Sequence, residues 1–354
     1  HLAWCQALSH QVQGVRQTVE LVEQLYSETP ESLSEEDRRS GPENLAELTV
    51  ISQNIKRISN DRWYDIKPLL LLKESLNADW IFVRAALELE LGHIYLYQGK
   101  LESAYAAFQD AHAYSQAVPN ALVSNLSTHM MASIRRLQGR LTECEKLCRE
   151  GILSAVDEQQ LPLPVAGLFH LTLAKIYYET NALDACRGEL EKSISLISLS
   201  SDPKLLTETE ILAAKLLGLK QGPKAVVERL YEAERLVSRR GTPQLLNQIR
   251  AYQVWYLIEC QDLTAAEAIL RQCEMPVDKP RPAPSFIASP ENEFFYLALC
   301  RYWVAVSNFT QPGFWIRHLV KNAENDQRLV SVGLFNSLLA ILLSKQGQSD
   351  SAIR

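Results

Sequence analysis

Along this chain, apolar residues recur three and four positions apart in successive stretches separated by glycine, asparagine, glutamine or proline. That spacing puts one apolar stripe on each helix and predicts an all-α chain. The sharpest stretch is Leu91-Gly92-His93-Ile94-Tyr95, followed by Gly99, Ala104, Phe108 and Ala111. Leu91 and Tyr95 share one face of a first helix, and Gly99 permits the turn. Ala104 is small enough for a second helix to approach closely, and Phe108 and Ala111 continue its stripe.

These positions reproduce the tetratricopeptide pattern of a helix pair. With Gly99 as the turn anchor, the slots five, nine and twelve residues later can be sought elsewhere. Gly139 is followed by Cys144, Cys148 and Gly151; Asn181 by Cys186, Leu190 and Ser193; Gln261 by Ala266, Leu270 and Cys273; and Gly347 by Ala352. His10, with Val15, Val19 and Val22, opens the series, and weaker anchors fall near Asn60, Gly222 and Asn308. From Asn60 to Gly347 the intervals run from 39 to 47 residues, so the period is near 40 and longer than usual. The fold expected is a right-handed α-solenoid of about nine tetratricopeptide-like helix pairs, one superhelical domain over residues 1–354.

Two stretches break the rhythm. Residues 27–43 are acidic and polar, with Pro30, Gly41 and Pro42, and read as an extended loop whose Glu35-Glu36-Asp37-Arg38-Arg39 run is solvated. Residues 275–290 carry five prolines, which exclude helix.

Charge and chemistry narrow the function. The net charge of −6 lacks the basic footprint that neutralises nucleic-acid phosphates, so direct nucleic-acid contact is not expected. Apolar runs such as Leu69 to Leu72 are far too short to span a membrane. Seven cysteines, scattered singly, suit a reducing compartment and a cytoplasmic protein. Cys144 and Cys148 lie one helical turn apart but on packing slots, so they read as core thiols rather than metal ligands. No hydrolase, metalloprotease or phosphate-binding motif occurs, and Leu216-Leu217-Gly218-Leu219-Lys220-Gln221-Gly222 has the wrong order for a phosphate cradle. A binding module is expected, not an enzyme, with no catalytic residue and no metal.

Three stretches together resemble the sensor region of MalT-type, ATP-dependent regulators of the LuxR family: His1-Leu2-Ala3-Trp4, Leu89 to Ala111, and Ala323-Glu324-Asn325-Asp326-Gln327-Arg328 with Leu338-Leu339-Ala340 and Gly347. The period, the proline-rich interruption and Arg301 in the helix after it suit that group. The resemblance implies a superhelix that receives a small-molecule inducer and takes part in self-association. It also implies a nucleotide-binding module before it and a helix-turn-helix module after it. The chain starts at His1 without methionine and stops at Arg354 inside a helical pattern, so it is expected to be part of a longer protein. No cofactor is expected in this segment, and ATP would belong to the preceding module.

A ligand would meet the concave surface lined by first helices. Counting from the turn anchors, the inward slots are Leu89, His93, Leu96 and Tyr97; His129, Ser133 and Arg136; Lys175, Tyr178 and Glu179; then Trp255, Glu259 and Tyr302. His93, Tyr97, His129, Arg136, Lys175, Tyr178, Glu179, Trp255, Glu259 and Tyr302 are the ligand-binding candidates, because such side chains stack on rings and hydrogen-bond their edges. The competing reading is a scaffold that grips a peptide or partner protein.

Overall fold

A computed structural model describes residues 14, 17–22, 24, 35–58, 66–117, 120–197, 203–238, 243–273 and 293–348. His10, Val15, Asn60, Ala352 and the whole 275–290 stretch lie outside the described residues. The described part is built of helices, beginning with α1 (Glu35–Ile58) and α2 (Lys67–Ser75). Pairs then follow in order: α3 (Ile81–Tyr97) with α4 (Leu101–Ala117), α5 (Ala121–Leu137) with α6 (Leu141–Ser154), and α7 (Ala166–Glu179) with α8 (Leu183–Ile197). After these come α9 (Pro203–Gln221) with α10 (Pro223–Val237), α11 (Pro243–Glu259) with α12 (Leu263–Gln272), α13 (Glu293–Ala305) with α14 (Thr310–Asn325), and α15 (Leu329–Lys345). The helix-pair architecture read from the sequence is therefore present.

One expectation is corrected. Glu35 to Glu43 is not loop but the start of α1, with Pro42 inside the helix. Acidic residues favour the first turn of a helix, where the macrodipole is positive, so a composition read as loop marks a helix start.

The turns explain the repeat. Gly139 has φ of 73°, its N–H donates to Arg136 O at 3.0 Å, and Arg140 N–H donates to Arg135 O at 2.8 Å. This is a Schellman closure, which satisfies the last carbonyls of a helix through one left-handed residue. The same pair of bonds recurs around Asn181, Gln261, Ser307, Gln327 and Gly347, all at positive φ. Gly99 is also left-handed, and a side chain there would collide with the Asp326 carboxylate. Gly92 meets a different demand, since a Cβ would sit 2.6 Å from the Phe108 ring of the partner helix. Ala104, Phe108 and Ala111 are fully buried, as are Cys144 and Cys148.

Of the three weaker anchors, the two within the described residues slip by one residue. At the first, α9 runs through Gln221, and Gly222 turns directly into Pro223 with φ 84° and ψ 176°. Counting from residue 221 instead places Val226, Leu230 and Ala233 in the packing slots, each 0% exposed. At the second, the left-handed residue is Ser307 and not Asn308, and its slots hold Pro312, Ile316 and Leu319, all buried.

Contacts group the chain into two units, His1–Tyr95 with Glu102–Met131, and Leu96–Leu101 with Ala132–Arg354. In the first, Val83, Ala86, Leu87, Leu91 and Ile94 of α3 pack with Leu69, Leu76 and Ala107. In the second, neighbouring pairs stack, and first helices also touch the next first helix: α7 meets α9, α9 meets α11, α11 meets α13, and α13 meets α15. That contact row makes the first-helix side the inner face of the second unit.

Candidate functional site

The inner face of the second unit carries a continuous run of rings and charges. Lys215 of α9 holds its ammonium 4.1 Å from the centre of the Tyr178 ring on α7 and 5.9 Å from that of Tyr252 on α11. Tyr252 stacks on Phe294 of α13 at 4.0 Å, with 19° between the rings. Phe294 also meets Trp255 at 5.4 Å, and the Arg301 guanidinium lies 3.8 Å over the Trp255 ring. Each contact joins one first helix to the next. Stacked rings contribute about 0.5–1.5 kcal/mol beyond their burial and a cation over a ring about 0.5–2 kcal/mol, so the run fastens the helices as well as lining the face.

Ion pairs border it. Arg136 bonds Glu179 at 2.6 Å, Lys175 bonds Glu208 at 2.6 Å, and Arg301 Nη2 donates to Glu259 Oε1 at 3.1 Å. Trp255 Nε1 donates to the same Glu259 oxygen at 3.2 Å. Lys215 differs from the other three cations, since among the described residues no carboxylate lies within ion-pair distance of it. Desolvation brings its pKa down to about 8, against the pull of Glu179 and with the push of Arg136 and Lys175. The same desolvation pushes the Tyr252 hydroxyl up to about 12 and raises that of Tyr256. Lys215 is nonetheless only partly shielded from solvent at its surface.

Of the sequence-derived candidates, this face brings together Arg136, Lys175, Tyr178, Glu179, Trp255 and Glu259. Tyr302 is not part of it: the residue is 5% exposed and packed in the core, and its hydroxyl donates to the more exposed Glu267 of α12 at 2.8 Å. Tyr97 is exposed at the end of α3, within electrostatic reach of Tyr296. His93 and His129 belong to the first unit, half-buried, with the His93 ring set edge-on to Phe108 at 5.2 Å.

Lys215, Tyr252, Tyr256, Phe294, Glu208 and Arg301 were not among the candidates. For two of them the signal existed. Arg301 lies six residues before Ser307 and Lys215 six before residue 221, the slot that holds Lys175 and Trp255 in their own pairs. A slip of one residue turns a helix by about 100°, which placed the core residue Tyr302 where Arg301 stands. Among the described residues, no group of three or more His, Cys, Asp or Glu side chains could hold a metal ion. The hydrogen bond of the Cys148 thiol with Cys144, and then burial, raise its pKa, as suits a core position.

Helix pairs closed by left-handed turns, with a ring-lined first-helix face, define a tetratricopeptide-type binding region. Residues 73–354 match the family described as the MalT-like TPR region, and the chain belongs to that family. Among solved structures it is similar to a Rap protein complexed with competence and sporulation factor. The TM-score is 0.71 at 8% identity, covering 99% of this chain and 92% of that one, which is a likeness of fold. No curated protein matches significantly. Among the described residues, no helix is long and apolar enough to cross a membrane.

Proposed function

We propose that this chain is the sensor region of a cytoplasmic transcription regulator, non-enzymatic itself, whose second unit receives a small-molecule inducer on its first-helix face. The observation that carries the reading is the unbroken run from Tyr178 through Lys215, Tyr252, Phe294 and Trp255 to Arg301. Rings that can stack a ligand are flanked there by cations that can orient it, and small-molecule sites combine aromatic walls with a few placed polar groups. Family membership supports the regulatory setting, in which ATP hydrolysis and DNA binding would belong to flanking modules and this region would take part in self-association.

A metabolite panel tested by thermal unfolding checks this. An inducer at about 100 times its Kd stabilises the folded chain by about 2.7 kcal/mol, and Trp255→Ala abolishes the shift while the variant stays folded. A panel in which no compound raises the melting temperature overturns the small-molecule reading.

The second reading, a scaffold for a peptide or partner protein, draws on the similar fold solved in complex with another factor. Its mark is a partner whose binding depends on Trp255 and Arg301 when no metabolite shifts unfolding. Self-association is checked separately by sedimentation across concentrations.

A further inference from the structure

Three of the four cations on the inner face hold a carboxylate, and the fourth, Lys215, does not. Its neighbours are two tyrosine rings and, on the helices packed against α9, Lys175 of like charge with Glu179 and the Cys186 thiol, while Arg136 on α5 adds a second like charge within electrostatic reach. Folding gains little from leaving an ammonium in such a place, because desolvating a charge without a partner is unfavourable. A second donor is also unsatisfied: Arg301 Nη1 is buried with no acceptor, at the far end of the stacked rings. Two donors without an acceptor in the described chain flank a strip of rings.

We infer that the inner face binds an anionic, ring-bearing small molecule, its carboxylate or phosphate seated on Lys215 and its ring laid on the Tyr252–Phe294–Trp255 strip. The inference rests on the reading of this face as an inducer site and specifies the chemical class. Arg301 Nη1 supplies a hydrogen bond to a second acceptor on the ligand. An anion beside the ammonium would raise its lowered pKa back toward the ordinary value.

The test uses paired probes on the whole chain, read by isothermal titration calorimetry. Indole-3-acetate and phenyl phosphate are compared with their neutral counterparts, tryptophol and benzyl alcohol, with inorganic phosphate as the anion lacking a ring. The acids are expected to bind at least about tenfold more tightly than the alcohols, as a hydrogen bond to a charged group contributes. In Lys215→Met this preference disappears while the neutral probes bind as before, and inorganic phosphate binds weakly throughout. Phenyl phosphate above indole-3-acetate identifies the anion as phosphate, and the reverse as carboxylate.

Equal binding of acids and alcohols, or a preference that survives in Lys215→Met, overturns the inference. So does the absence of binding by any acid. The parent reading is judged by the metabolite panel: a compound that stabilises the wild type and Lys215→Met alike keeps the inner-face site and removes the anion.

Discussion

Two charged sites in the second unit handle burial in opposite ways. At the join of α13, α14 and α15, Arg328 is completely buried, bonded to Glu293 at the start of α13 and to Asp326 at 3.0 Å, while Ser331 also donates to Glu293. On the inner face, Lys215 is desolvated with only rings beneath it. The first site is closed, with each charge answered by a neighbour. The second is answered on one side only. A buried charge with its full set of partners fixes a structure, whereas one left half-answered points to a partner that arrives later.

Neutral substitutions at the two sites should therefore have opposite signs. Arg328→Met leaves the Glu293 carboxylate buried beside a lone hydroxyl and should cost about 3–5 kcal/mol in urea unfolding. Adding Glu293→Gln should recover part of that loss, and a double variant no more stable than the single one would show that the pair is not the cause. Lys215→Met should instead stabilise the free chain by about 1–3 kcal/mol, the relief of desolvation less the lost ring contacts. A loss of stability there would mean that the inner face is as closed as the Arg328 site.

The same contrast appears against pH. Lys215 releases its proton at about 8 in the folded chain and near 10.5 when unfolded. Between those values the unfolded chain binds more protons, so stability rises with pH, by at most about 1.4 kcal/mol per unit. The raised thiols of Cys148, Cys186, Cys260, Cys273 and Cys300 cost both chains stability as pH rises, so the test is the difference: from pH 7.5 to 9.5 it should move in favour of wild type over Lys215→Met. The smallest effect concerns the turns that set the register of both sites: Gln261→Gly, at φ 63°, should add about 0.5–1 kcal/mol, measurable by the same unfolding.

How far these features could be read from the sequence follows from what each depends on. The helix pairs were legible because Gly99, Gly139 and Gly347 mark left-handed turns, and the small and apolar slots after them keep one spacing. Asn181 and Gln261 were found by counting alone, since a non-glycine residue in a left-handed turn leaves little compositional trace. Gly222 misled because its glycine serves a different geometry, and Asn308 because the turn falls on Ser307. Six of the ten candidates fall on the assembled face, and Lys215 and Arg301 were lost to those two slips. Tyr252 and Phe294 could not be found by slot counting, because they reach the strip through contacts between neighbouring pairs.

The Tyr252–Phe294–Trp255 bracket across α11 and α13 has a mechanical consequence. In a stack where each repeat is supported by its neighbours, cooperativity is limited by the weakest joint. Rings crossing this joint act as a rivet, so strain on one pair is handed to the next instead of opening a seam. A ligand lying from Lys215 to Arg301 would span α9, α11 and α13 and add a second rivet to the first. Occupancy would then be felt as stiffness along the stack, a signal that travels without any helix having to change its fold.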